Sequence, residues 1–142
     1  MVDFLDSNKW FGVILGIVSM VVGLGYGYFF ISGEPITIKA DFLVPDSTSA
    51  MTIAPFVLLN DQSQWGDYSI DEILCHEKVH IIQNWSCLAL GGASFYGIYG
   101  LNYVVNLGIY DDPDLAYYNI FFERQAYKYQ YEHFKPDLEV NF

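Results

Sequence analysis

The chain has 142 residues, 53% of them hydrophobic and only 16% charged, with a formal net charge of −11. That length suits one domain of ordinary size, and few charges with a mean hydropathy of +0.23 lean toward a membrane-associated protein. Six Lys plus Arg leave no basic patch for phosphate, which excludes nucleic acid as a partner and argues against charge-driven docking on anionic lipid.

The first element is WFGVILGIVSMVVGLGYGYFFI, Trp10 to Ile31, without a single charge. About 20 apolar residues cross a bilayer core as a helix, so residues 10–31 are predicted to span a membrane within an N-terminal segment 1–31, followed by a second domain 32–142. Trp10 at one end and Tyr26, Tyr28, Phe29 and Phe30 at the other suit the two interfaces. A cleaved signal peptide fits less well, because only Lys9 accompanies Asp3 and Asp6 and no A-x-A site follows. Gly12, Gly16, Ser19, Gly23 and Gly27 form one face of small residues. Such a face admits another helix closely, from this chain or from a second copy. The expected location is the membrane, with lipid as a partner. Lys9 and Lys39 balance each other, so sidedness stays open.

ITIKADFLV (36–44) and MTIAPFVLLN (51–60) read as two short strands of a β-hairpin around PDSTS (45–49), with Pro55 marking an edge or bulge. Residues 60–68 read as a loop. Ser69 and Glu72 then make the S-x-x-E capping box of a helix whose apolar positions include Ile73, Leu74, Val79 and Ile81. No Asp, Glu, Lys or Arg occurs from Val79 to Tyr110. Within that stretch residues 86–110 form a second hydrophobic helix. Its small residues Ala89, Ala93, Gly97 and Gly100 are expected to pack on the first stripe. It could cross the membrane, dip into it or form a core helix, although Asn102 and Asn106 argue against a clean lipid-exposed span. DDPD (111–114) breaks the chain, a last helix runs from about Leu115 to Phe134, and KPDLEVNF is expected to fray. The fold class is therefore mainly α with a small β-hairpin. Cys75 and Cys87 lie about 18 Å apart if on one helix, too far for a bridge, and read as free thiols.

The chemistry lies in HEKVH, residues 76–80. Positions i and i+4 share a helix face, so His76 and His80 can present imidazole nitrogens to one metal ion. Glu77 is not a ligand in this arrangement but can take a proton from a water activated by zinc. A catalytic site needs a third protein ligand. Glu123, among the apolar residues of NIFFERQAY (119–127), is the candidate, and Ala126 would let its helix pack closely on the first. His133 is the rival, and Cys75 should point to another face. Gln83 lies on the ligand side and can orient a ligand or touch substrate. Tyr127 and Arg124 flank Glu123. Either could stabilise an oxyanion, with Tyr127, one helical turn from Glu123, favoured over Arg124; in a chain with twelve tyrosines, packing alone is the commoner role for such a residue. Lys78 should face solvent.

These motifs resemble the zincin metallopeptidases with a glutamate ligand, the gluzincins. They resemble more closely a family of small, largely uncharacterised bacterial HExxH proteins. In that family a strand ending in A-P-F or G-P-F precedes H-E-x-x-H-x-x-Q, F-Y-x-x-Y and F-E-x-x-A-Y. Here the motifs read APF (54–56), HEKVHIIQ (76–83), FYGIY (95–99) and FERQAY (122–127). The resemblance implies a minimal zincin-like helical domain, Zn2+ held by His76, His80 and Glu123, and Glu77 as general base. Gln125 departs from the acidic residue expected at that position. Zincins also carry an edge strand that pairs with an extended peptide, a role residues 51–59 could fill. The function implied is a membrane-anchored zinc metallopeptidase acting on a peptide or protein substrate. The alternative is a structural subunit of a membrane or virion envelope that keeps the metal site without activity.

Overall fold

A computed structural model describes residues 2–45, 47–61, 65–90 and 93–135, with side chains from Trp10 onward. Helix α1 runs Val2–Ser32. It is followed by strands β1 (Ile36–Lys39), β2 (Ala50–Ile53) and β3 (Phe56–Leu59). Helix α2 (Ile70–Cys87) leads through a short 3-10 turn, Leu88–Leu90, to α3 (Ser94–Tyr110), α4 (Pro113–Tyr118) and α5 (Phe121–Phe134). The fold is mainly helical with one small sheet.

Within α1, Trp10–Ser32 is 23 residues long and apolar enough to cross a membrane. At 1.5 Å per residue that is about 34 Å, against a hydrocarbon core of about 30 Å. The helix stops where Gly33 takes φ +74° and returns its N–H to the Phe29 carbonyl at 2.8 Å, a left-handed cap that glycine adopts without a Cβ penalty. The last turns of α1 are not free. Tyr26 and Phe29 join Ala50, Val57, Ile73 and Ile81 in one core, and a Cβ on Gly25 would overlap the Pro55 ring.

The sheet differs from the predicted hairpin. Its order is β1-β3-β2, with β1 parallel to β3 and β2 antiparallel to it. Residues 36–44 and 51–60 are therefore not the two arms of one hairpin. The real hairpin is residues 50–59, which turns at Ala54 and Pro55, where proline has no N–H for a ladder. Past Lys39 the chain leaves β1 by a turn that returns the Leu43 and Val44 N–H groups to the Ala40 carbonyl.

Residues 86–110 are likewise not one helix, because α2 ends at Cys87 and α3 begins at Ser94. The two stripes of small residues do not meet. A Cβ added at Gly12, Gly16, Gly23, Gly27, Gly97 or Gly100 has nothing within 4 Å. The predicted last helix is two. Asp112 caps α4, with Pro113 in its first turn, and Asn119 closes it by donating from Nδ2 to the Leu115 carbonyl at 2.8 Å. Asn102 of α3 then accepts the Phe121 N–H at 2.7 Å and starts α5. The predicted fraying from Pro136 onward lies outside the described residues. Both cysteines are on α2 and free.

The Ser69–Glu72 capping box is present in both directions. Ser69→Ala is expected to cost about 1 kcal/mol, read as a lower thermal midpoint in detergent. The backbone N–H of Ser69, its hydroxyl and Lys135 hold the Glu72 carboxyl below its ordinary value against the opposing pull of burial. A depressed carboxyl pKa means the unfolded chain takes up the proton first. This contribution is complete above the unfolded value of about 4.3 and fades as pH falls through the folded one. Glu72→Gln should therefore flatten the acid limb of the stability curve; an unchanged limb would remove the box from the account.

Candidate metal centre

Helix α2 packs on the sheet on one side and on α5 on the other, and the last turns of α1 meet it through Tyr26 and Phe29. His76 and His80 are both buried, as a one-turn spacing on the α5 side requires. Ala126 of α5 is fully buried, and Glu123, one turn before it, is 2% exposed. The outcome is a buried group, His76, His80 and Glu123, whose ligand atoms all lie within 4.8 Å of one another and which could hold a metal ion.

The hydrogen bonds orient the group. Gln83 donates from Nε2 to the Phe122 carbonyl at 3.1 Å, an atom that can only accept. The same nitrogen donates to Oε1 of Gln125 at 3.1 Å. Oε1 of Gln83 must then be the atom 2.8 Å from His80 Nδ1, so that Nδ1 carries the proton. Gln130 Oε1 stands 3.2 Å from His76 Nδ1 in the same relation. Both Nε2 atoms are left facing inward, 3.1 Å apart. His76 Nε2 is 3.1 Å from Glu123 Oε2, and His80 Nε2 is 3.2 Å from Glu123 Oε1. Four acceptors so close repel unless a cation, proton or metal, lies among them. Ligands at about 2.0–2.1 Å from a tetrahedral ion are roughly 3.3 Å apart, so the three side chains fit a metal ion with little movement.

The charges agree with that reading. Burial alone would raise the Glu123 carboxyl, but hydrogen bonds and charge from His76 and His80 hold it well below the usual carboxylate range. Burial pulls His80 down, and the hydrogen bond and charge of Glu123, with the charge of Glu77, outweigh it and leave His80 above its ordinary value. Tyr99 of α3 donates to Glu123 Oε1 at 2.6 Å and supports the carboxylate from behind.

Glu77 lies beside this group, 7% exposed. Its Oε2 accepts a 2.6 Å hydrogen bond from the Thr52 hydroxyl of β2. His76, Glu77, Tyr127 and Gln130 share a cavity of about 460 Å³ with Ala50, at the edge of the sheet. Tyr127 packs its ring on His76, centroids 4.4 Å apart, and burial first, then the charge of Glu123, push its phenol up so that it stays protonated.

Compared with known protein families, curated proteins and solved structures, the chain matches none.

Of the residues singled out in the sequence, the structure brings together His76, His80, Glu123, Glu77, Gln83 and Tyr127. It leaves out Arg124 and His133, both exposed, the latter stacked on Tyr129. Cys75 is buried outside the ligand group. Lys78 does not simply face solvent; its Nζ pairs with Glu34 at 2.7 Å, just past the end of α1. Gln125 supplies an acceptor to Gln83, so the departure from an acidic residue keeps the contact. Sequence reasoning missed Thr52, Tyr99 and Gln130 as supporting residues. Gln130 had a signal, lying seven residues after Glu123 on the same helix face. Thr52 had none, since its partner is 25 residues away.

One metal ion per chain is the expected stoichiometry in detergent-purified protein, lost in His80→Ala. Gln83→Ala should keep the ion but weaken it by about 10- to 100-fold. Affinity should also rise with pH until it passes the raised His80 value, because the ion displaces a proton that this histidine holds longer than usual. A titration that is flat with pH would contradict the assignment of ligands.

Proposed function

We propose that the chain is a membrane-anchored, zinc-dependent metallopeptidase with a zincin-like domain. The observation that carries this reading is the placement of Glu77. It is buried, oriented by Thr52 and set on the wall of the cavity onto which His76 opens. A site that only held the fold together would close with four ligands and would not need it. Two imidazoles and one carboxylate form the ligand set of catalytic zinc, which would supply Lewis-acid polarisation of a water and of the scissile carbonyl.

The chain's own residues do the rest. His76, His80 and Glu123 hold the ion, with Gln130, Gln83 and Tyr99 fixing their orientation. Glu77 takes the proton of the attacking water and returns it to the leaving amine. Tyr127, still protonated, donates to the oxygen that gains charge as the carbonyl is attacked. β2 is an edge strand next to the cavity. An extended substrate can pair along it, which favours polypeptide over a compact folded protein. The apolar length of α1 supports anchorage in a membrane.

The decisive experiment compares wild type with Glu77→Gln after zinc loading. Expected is a loss of peptide turnover of about 10²- to 10⁴-fold with the metal retained, and a smaller loss of kcat in Tyr127→Phe. The bare glycines of α1 support the second reading, a structural membrane or envelope subunit. On that reading Glu77→Gln changes nothing measurable and no peptide is cleaved by the wild type.

A further inference from the structure

Helix α3 is built inside out. The exposed positions from 97 to 109 carry only Gly97, Ile98, Gly100, Leu101, Val104, Val105, Leu107, Gly108 and Ile109. None has a side-chain hydrogen-bonding group. Between the exposed Tyr96 and Tyr110 at its two ends, the hydrogen-bonding side chains of the helix point the other way. Tyr99 bonds Glu123, Asn102 accepts the Phe121 N–H, and Asn106, 7% exposed, donates to the Ala116 carbonyl at 3.1 Å. A helix on a water-soluble domain shows the reverse, with its polar groups outward. Leu101 is 67% exposed, Val104 64% and Ile109 67%.

The fold also says at what level this face stands. The N–H of Ala54 donates to the Tyr96 hydroxyl of α3 at 3.0 Å, and the neighbouring Pro55 lies against Gly25 of α1. Tyr26 donates to Asn84, and Tyr26 and Phe30 both pack on Trp85, with centroids 4.9 and 5.1 Å away. The end of α2 and the start of α3 therefore lie level with residues 25–30, inside the apolar length Trp10–Ser32. Leu90, in the turn between them, is 75% exposed.

We propose that the outer face of α3 contacts lipid acyl chains, so that the domain is seated in the bilayer and does not hang from α1 alone. Lipid is the occupant because the exposed positions between Tyr96 and Tyr110 carry no polar side chain, with those two tyrosines at the ends as at a bilayer interface, and because the start of α3 stands level with the apolar helix. At 17 residues, α3 is about 25 Å long, enough to line one side of the hydrocarbon core. The contact does not depend on the metal or on turnover.

The test uses the unmodified full chain in phosphatidylcholine vesicles. One sample contains a lipid with a photoreactive diazirine on its acyl chain; a parallel sample receives a water-soluble diazirine reagent. Adducts are mapped by mass spectrometry. Expected is at least about tenfold more acyl-chain adduct on Ile98, Leu101, Val104, Val105 and Ile109 than on the outer residues of α5 such as Lys128, with the water-soluble reagent giving the opposite pattern. Acyl-chain adducts on α1 alone, with aqueous labelling of α3, would overturn the proposal and leave α1 as the sole anchor. Protection of α3 from both reagents, with links between α3 helices of two chains, would overturn it in favour of a second copy. Absence of acyl-chain adducts on α1 and α3 together would remove the membrane reading altogether.

Discussion

Two buried imidazoles facing each other at 3.1 Å are the constraint from which the rest of the structure follows. Neither ring can be left to choose its own tautomer there. Gln83, its amide fixed by the Phe122 carbonyl, decides which nitrogen of His80 carries the proton, Gln130 faces His76 Nδ1, and the inward lone pairs need a cation and a counter-charge. Glu123 supplies the counter-charge. The seam between α2 and α5 exists to bring it within reach, and Ala126, without bulk, lets the two helices close. Buried charge of this kind is tolerated only when every partner is present.

The other elements can be read as support for that seam. The sheet presents Thr52 to Glu77 from one side, and α3 presents Tyr99 to Glu123 from another. The last turns of α1 fill the core behind α2, and Glu34 steadies it through Lys78. The wall of the cavity is assembled from loop, edge strand and the aromatic residues of α4 and α5.

Local signals in the sequence were reliable where a single interaction decides the structure. Ser69 with Glu72 marks the start of α2, and the spacing of His76 and His80 sets them on one face; Asp112 with Pro113, which read only as a break in the chain, caps α4. Glu123 could be chosen from its apolar surroundings. What could not be read was decided by pairings across the chain. β1 pairs in parallel with β3, a non-local choice that no hairpin pattern announces. Asn119 and Asn102 divide one apparent helix because Asn102, 19 residues away, caps the next. Thr52 and Tyr99 act through contacts 25 and 24 residues distant. Gln83 shows the middle case. Its face was legible, but its role as the residue that fixes a proton on His80 depends on the Phe122 carbonyl, which only the folded chain supplies.

The ends of α2 are unequal. Asp71 and Glu72 stand in its first turn and no basic residue stands in its last. The positive end of the helix dipole is thus neutralised by side chains and the negative end is not. At that end the Cys87 carbonyl is met by the Ser94 hydroxyl at 2.8 Å, a neutral donor. Where lipid replaces water around this corner, the field of those carbonyls is poorly screened. The Ser94 hydroxyl is the compensation that end of α2 receives, so the residue that opens α3 also closes α2.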